Sequence, residues 1–475
     1  MKLDNPYQRV SGLCHEAKVQ DFTGTHIVLW NTPLAQQLGL PEDELTKAQL
    51  ATGQAHPHAF ALAYAGHQFG NYVPLLGDGR AHLLGAVAGS QGQSWDIQLK
   101  GSGATQFSRG GDGLCGIGPA VREFIMSEAL AGLKVPTTRC LSVALSGDTV
   151  VRQKPSAGAI VSRVASSHIR VGSFQFLAAQ QDIQALRELV DLTISRHYPQ
   201  LAQLHADEQL LALFSAVMDR QIELIVSWMR IGFIHGVMNT DNTLVSGETI
   251  DYGPCAMMSQ FDFNRTFSSI DRHGRYAYGN QPQIASWNLA RFAETLIDLF
   301  TAPQEQVVEQ LTQRLSQFGE LFNTKLKTMW MHKLGLMSDD EHVDELINEL
   351  LVAMQEQHLD FTNTFVELTA YCKQQKDALV EIQAPLVEWL RKWQGVVDQH
   401  LEQSAALMSV SNPQVIPRNH QVEAIIEDFE QQGYSDKLAP LLTALKVPYS
   451  LQEEHRYLQQ PPASNDEDYQ TFCGT

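Results

Sequence analysis

The spacing of apolar residues changes once along this chain, near residue 175. Before that point they come in short runs broken by glycine turns; after it they recur at helical intervals. Residues 1–70 are punctuated by Pro, His and Gly and hold no long periodic segment. Short apolar runs then occupy residues 72–76 and 82–87, separated by the turn Gly77-Asp78-Gly79-Arg80, with a second turn over 90–93. Trp95, Ile97 and Leu99 alternate with Asp96, Gln98 and Lys100. That is the period of a half-buried strand, and it puts Lys100 on the polar face at the strand's end. A Gly-dense loop over 101–118 leads to Pro119, a residue favoured in the first turn of a helix. Val121, Phe124, Ile125, Ala129 and Leu130 then predict a helix that stops near Gly132. Strands are expected over 138–145 and 149–153, joined by a Ser146-Gly147-Asp148 turn, and over 159–164.

Downstream, Leu210, Phe214, Val217, Leu224 and Trp228 predict a helix over 208–230 that delivers the chain to His235. Further amphipathic helices are expected over 284–300, 305–322, 340–355 and 379–408, with two shorter ones in 411–449. From about Gln459 the chain is polar, a tail expected to be mobile or loosely docked. Strands first and helices afterwards imply an α+β arrangement of two lobes. The expected division is a strand-rich N-terminal lobe over 1–165, a helical C-terminal lobe over 166–458 and the tail over 459–475.

Composition narrows the function. A formal charge of −19 over 475 residues argues against a general nucleic-acid binder, which needs clustered Lys and Arg for phosphates. No apolar run approaches a membrane span. The opening Met1-Lys2-Leu3-Asp4-Asn5-Pro6 lacks signal-peptide character, so a cytoplasmic protein is expected. The six cysteines contain no Cys-x-x-Cys pair, which fits neither a zinc site nor a disulfide framework. Cys473 differs from the rest in lying on the polar tail.

Chemistry concentrates in His235-Gly236-Val237-Met238-Asn239-Thr240-Asp241-Asn242, followed by Asp251-Tyr252-Gly253. The spacing is similar to the catalytic and metal loops of kinases, in which an Asp two residues after the His accepts the substrate proton. Val237 stands at that position. Either the chain is catalytically dead, or it does different chemistry with the same nucleotide and Asp241 serves as the base. Asn242 and Asp251 suit a hard divalent cation, which takes one or two protein oxygens besides phosphate and water. Upstream parts come in kinase order. Gly77 and Gly79 let backbone approach phosphate, Arg80 adds charge, and Lys100 reaches the phosphates with Glu123 as its ion-pair partner. Asp112-Gly113 reads either as a nucleotide contact or as part of a flexible linker. Arg163 and Arg170 read as surface arginines in isolation and as a triphosphate cradle in this order. Phe261-Asp262-Phe263 imitates the metal motif but comes too late and lacks the Gly.

These segments together resemble the selenoprotein O family. The likeness rests on Tyr64-Ala65-Gly66-His67-Gln68-Phe69-Gly70, Gly77-Asp78-Gly79-Arg80, Gln98-Leu99-Lys100-Gly101-Ser102-Gly103, the 235–242 loop and Asp251-Tyr252-Gly253-Pro254. Asn412-Pro413 and Ile416-Pro417-Arg418-Asn419 extend it, so that it runs from about residue 5 to the end. The resemblance implies a protein-kinase-like pseudokinase fold that binds ATP in flipped orientation. It further implies transfer of AMP to Ser, Thr or Tyr hydroxyls of protein substrates, with Mg2+ or Mn2+. On that basis Gly77, Gly79, Arg80, Lys100, Asp112, Gly113, Arg163 and Arg170 contact the nucleotide, Asn242 and Asp251 hold the metal, and Asp241 accepts the proton. A monomer is expected. Some family members carry selenocysteine near the C-terminus, which implies a redox role for Cys473, with Cys255 as its suggested disulfide partner. A γ-phosphate kinase and a non-catalytic nucleotide-binding scaffold remain as alternatives. Val237 counts against the first; Lys100, Asn242 and Asp251 count against the second.

Overall fold

The computed structural model describes residues 3–471 except 55, 57, 90, 91, 153, 340, 341, 376, 377 and 464–468. Cys473 lies outside these residues, and so does any pairing with it. Its suggested partner Cys255 is a buried free thiol that burial pushes up to about 12.

The strands are β1 (Cys14–Ala17), β2 (His26–Trp30), β3 (Ala59–Leu62), β4 (Gly66–Gln68), β5 (Asn71–Val73), β6 (Ala81–Ala88), β7 (Ser94–Lys100), β8 (Cys115–Gly116), β9 (Arg139–Val151) and β10 (Pro155–Ala165). Seven form an antiparallel sheet in the order β1-β3-β6-β7-β10-β9-β2, and β8 pairs with β10. β4 and β5 make a separate hairpin. Helices α1 (Thr32–Gln37) and α2 (Glu44–Thr52) bring Leu34, Leu38 and Leu50 against Ile97, Leu99, Ile160 and Val164 on one face of the sheet. Helix α3 (Ile117–Gly132) brings Val121, Phe124 and Ile125 against Leu83, Val143 and Val161 on the other. The pattern 117–132 therefore starts two residues before Pro119, and Gly132 ends it in close packing. A Cβ there would overlap the Leu445 carbonyl.

Two expectations for the sheet fail in an informative way. The polar side of β7 is not solvated: Asp96 and Gln98 are fully buried and Lys100 is 8 % exposed. Alternation identified the two faces correctly, but the polar one looks into the molecule, where charged partners meet it. The Ser146-Gly147-Asp148 turn is also absent, because β9 runs through it. Gly147 takes φ +87 and the β9–β10 register shifts between Ala157 and Ala159, so glycine there kinks a strand instead of reversing it.

After the sheet come α4 (Val171–Ala179), α5 (Ile183–His197), α6 (Ala206–Ile231) and α7 (Gln281–Leu296), and eight more helices lie between Gln304 and Lys446 among the described residues. α6 ends at Gly232 in the left-handed conformation, which turns the chain into β11 (Phe233–Ile234), paired with β12 (Ala256–Met257). Two expected long helices are each broken. Residues 305–322 span Gln304–Ser316 and Phe318–Leu334, and 379–408 spans Val387–Val397 and Leu401–Ser411, with His400 at φ −143 leaving helical geometry. Neither break carries Pro, and apolar periodicity does not register a change of axis. Nor is the last described segment loose. Tyr469 meets Arg122 and Glu423, and Thr471 donates to the Pro254 carbonyl at 2.6 Å.

One buried ionic group fastens β7 to α5. Asp96 accepts from Arg196 at 2.8 Å, from Tyr7 at 2.5 Å and from the His168 ring at 3.1 Å. Burial opposes its ionisation, but Arg196 and His168 outweigh that and hold it below the usual carboxylate range. Because the folded-state value is depressed, its stabilisation is whole above the ordinary Asp range and is lost as pH falls through the depressed value. Asp96→Asn, which leaves Arg196 buried without its counter-charge, is expected to cost about 3–5 kcal/mol. Denaturant titration of the two proteins at neutral pH measures it.

Candidate active site

The Gly77–Arg80 turn, the loop after β7 and the loop after β11 converge on a cavity of about 270 Å³. Gly77, Gly79, Arg80, Lys100, Asp112, Gly113, Arg163, Arg170, Asp241, Asn242 and Asp251 all line it. The sequence-derived set is thus brought together without exception, from segments up to 174 positions apart (251 − 77).

The glycines have a more local reason than expected. Gly77 sits at φ +65, and a Cβ there would strike the Phe107 ring; one at Gly79 would meet the Phe107 backbone. They admit the loop that follows β7, which Thr105 fastens by donating to the Asp78 carbonyl at 2.7 Å. This loop is packed structure and not a flexible linker. Gly113 at φ +72 lies so close to Gly103 that no side chain fits, and Asp112 takes a two-pronged ion pair from Arg152 at 2.8 Å. Asp112 therefore meets a partner at the cavity's rim that the sequence reading did not name.

Deeper in, charges interlock. Lys100 Nζ lies 2.8 Å from Glu123 Oε2 and 2.5 Å from Asp251 Oδ1. Arg163 pairs with the other Glu123 oxygen at 2.6 Å and approaches Asp251 at 3.9 Å. Burial opposes charge on Glu123 and Asp251, yet the neighbouring cations overrule it and lower both, Asp251 far below the usual range. Arg163 and Arg170 are 4 % and 6 % exposed, so the surface reading of these arginines is wrong. Arg170 donates to the Asp241 carbonyl at 3.0 Å, lies over the Tyr64 ring at 4.2 Å and faces Asp78 at 3.6 Å. Asp78 itself accepts from the Leu62 amide and the Gln98 side chain. Its place between two glycines was visible in the sequence; its partners were not.

Asn242 and Asp251 fit a divalent cation. The Asn242 nitrogen is committed to the Val237 carbonyl at 3.1 Å, which leaves its amide oxygen for a ligand. Asp251 takes φ +66, a conformation rarely adopted outside glycine and held here against its cost. Its carboxylate is 31 % exposed to the cavity. His235 is buried; its ring bonds the Ile250 carbonyl at 2.8 Å and so ties the two loops together. Val237 is buried beside it at 6 % exposure.

Asp241 is 8 % exposed, and its Oδ1 has no hydrogen-bond partner among the described residues. Burial lifts this carboxyl to about 6 against the pull of Arg170. The β4–β5 hairpin covers it: the His67 amide donates to Thr240 Oγ1 at 2.7 Å, and a Cβ at Gly66 would overlap the Asp241 carboxylate. The hairpin's role was not foreseen, because it depends on contact between segments about 170 residues apart.

The family model described as Protein adenylyltransferase SelO matches residues 8–446. The chain is similar to proteins named Protein nucleotidyltransferase YdiU. That of Pseudoalteromonas translucida is 50 % identical over 478 residues, covering all of both chains. That of Alcanivorax borkumensis is 46 % identical over 100 % of this chain and 99 % of the relative. That of Alkaliphilus metalliredigens is 44 % identical over 94 % and 92 %.

A cavity lined by Arg80, Lys100, Arg163 and Arg170 is expected to take a nucleoside triphosphate. ATP at about a hundred times its dissociation constant is then worth about 2.7 kcal/mol of stability, seen as a rise in thermal midpoint. Arg170→Ala is expected to lose most of that rise; an undiminished rise contradicts its assignment.

Proposed function

The chain belongs to the protein adenylyltransferase SelO family, and we propose that it transfers AMP from ATP to Ser, Thr or Tyr hydroxyls of proteins, releasing pyrophosphate. The observation that carries this reading is the pairing of a buried Val237 with a cavity-lining Asp241 whose Oδ1 is unpartnered among the described residues. The sheet over 14–165 and the helices beyond are read as the two lobes of a pseudokinase, with residues 459–475 as a separate tail.

In this reading ATP lies flipped, with its γ end toward Arg163 and Arg170 and its α-phosphate toward Asp241. Backbone at Gly77, Gly79 and Gly113, together with Arg80, Lys100 and Asp112, lines the nucleotide's path. Asn242 and Asp251 would hold Mg2+ or Mn2+, which supplies positive charge to the phosphates. Glu123 keeps Lys100 and Arg163 in place from behind. Asp241 takes the acceptor's hydroxyl proton, the hydroxyl oxygen bonds to the α-phosphorus, and the bond from that phosphorus to the bridging oxygen of pyrophosphate breaks. A carboxyl lifted toward neutrality by burial is a better proton acceptor than an exposed one. A base at the Val237 position would serve an attack on the γ-phosphate, which this orientation keeps away from the acceptor.

ATP labelled separately on its α- and γ-phosphates tests the reading. Label on protein from the α position alone is expected; γ label on protein indicates a kinase, and no transfer indicates a scaffold. Asp251→Ala is expected to reduce α-label transfer by about a hundredfold or more, in line with loss of a principal electrostatic group. Gly66→Ala, whose Cβ would displace the Asp241 carboxylate, should lower kcat about tenfold or more while leaving the ATP-induced rise in thermal midpoint intact.

A further inference from the structure

Next to the catalytic loop lies a group of rings and guanidinium groups that no step above uses. The β4–β5 hairpin is seated on that loop through the His67–Thr240 bond and through the Phe69 amide, which donates to Asn239 Oδ1 at 3.1 Å. Its two-residue turn puts Phe69 at φ +51 and Gly70 at φ +85. Hairpin turns of this hand favour Asn or Gly at both places, so a bulky aromatic residue is held there at a cost. Phe69 packs on Tyr276 with centroids 5.0 Å apart, and Tyr276 donates to the same Asn239 oxygen at 2.7 Å.

Outward from this anchor the rings continue. Tyr72, 42 % exposed, lies tilted against His67 at 4.9 Å, and His67 meets Trp287 of α7 edge-on at 5.1 Å. The guanidinium groups of Arg275 and Arg291 lie 5.1 and 5.0 Å from the Trp287 ring centroid. Phe69, Arg272 and Arg275 also border a cavity of about 410 Å³. The acids nearby are largely committed. Asp271 is buried and accepts from the Arg275 and Tyr276 backbone amides at 2.9 and 2.8 Å. Glu294 pairs with Arg291. Arg272 and Arg275 form no ion pair among the described residues. In a chain of net charge −19, two arginines beside the single buried acid Asp271 run against the prevailing sign.

We infer that this surface docks the acceptor polypeptide, and that it selects a flexible segment with acidic residues beside the hydroxyl to be modified. The inference rests on the adenylyl-transfer reading, because only then must an acceptor approach Asp241. The hairpin supplies the location and the arginines supply the preference. Aromatic rings and Arg suit a peptide surface that is partly apolar and partly charged. Charge at such a rim chiefly sets encounter rate and partner choice. A nucleotide is a poorer occupant, since Arg275 and Arg272 do not line the cavity that holds Lys100 and Asp251.

The test uses the intact protein, α-labelled ATP and three tyrosine peptides that differ only in Glu, Gln or Lys at the four flanking positions. The Glu peptide is expected to have about a fivefold or greater advantage in kcat/KM over the Gln peptide, the scale of two or more exposed ion pairs. That advantage should shrink as salt is raised. Arg275→Glu, and separately the exposed Arg272→Glu, should reverse the order of the Glu and Lys peptides. Equal labelling of all three peptides by the unaltered protein overturns this inference and leaves adenylyl transfer standing. Label on no acceptor removes both. A loss of ATP affinity in Arg272→Glu and Arg275→Glu that accounts for the whole change also overturns it, since it would make the arginines part of the nucleotide site.

Discussion

The ionic cluster of Lys100, Glu123, Arg163 and Asp251 is the constraint on which the rest of the site depends. Its four members come from β7, α3, β10 and the loop before β12, so the cluster exists only when sheet, helix and loop are all in place. Two cations face two carboxylates, of which Lys100, Glu123 and Arg163 are buried and Asp251 opens to the cavity, so removing one partner leaves buried charge out of balance. The cluster also aims Asp251, whose left-handed backbone would not persist without neighbours that determine it.

A second buried group, centred on Asp96, uses the same strand face to bind α5. β7 thus carries three inward polar residues with different work: Asp96 fastens helices, Gln98 orients Asp78, and Lys100 reaches the cavity. The opposite face, Ile97 and Leu99, packs on α1 and α2. One seven-residue strand is therefore both a core element and the floor of the site.

The cavity is completed from above by glycine contacts. At Gly77, Gly79, Gly113 and Gly66 the added methyl would strike another segment, not a ligand. Close approach of backbone to side chains at Gly77 and Gly66, and to other backbone at Gly79 and Gly113, is what lets three loops share so small a space. At Gly66 that approach puts the Asp241 carboxylate beneath the hairpin, with its Oδ1 lacking a hydrogen-bond partner among the described residues.

Most residues that line the cavity could be read from order and spacing, because their kinase-like order along the chain singled them out before the fold brought them together. Lys100, Asn242 and Asp251 were legible for that reason, and the strand period of 95–100 and the helix period of 121–130 were legible from sterics alone. Arg152, Asp78 and the β4–β5 hairpin were not, since their importance lies in partners far away in the chain. Nor could alternation tell that the polar face of β7 is buried: periodicity separates two faces without saying what covers each. The sequence by itself determined the strand period of 95–100, the helix period of 121–130, the candidate residues that come to line the cavity and the absence of an acid at Val237. Only the tertiary structure decided which charges meet, that Arg163 and Arg170 are interior, and that a hairpin sits over Asp241. Local sterics act within a few residues, whereas burial and ion pairing depend on what the fold brings alongside.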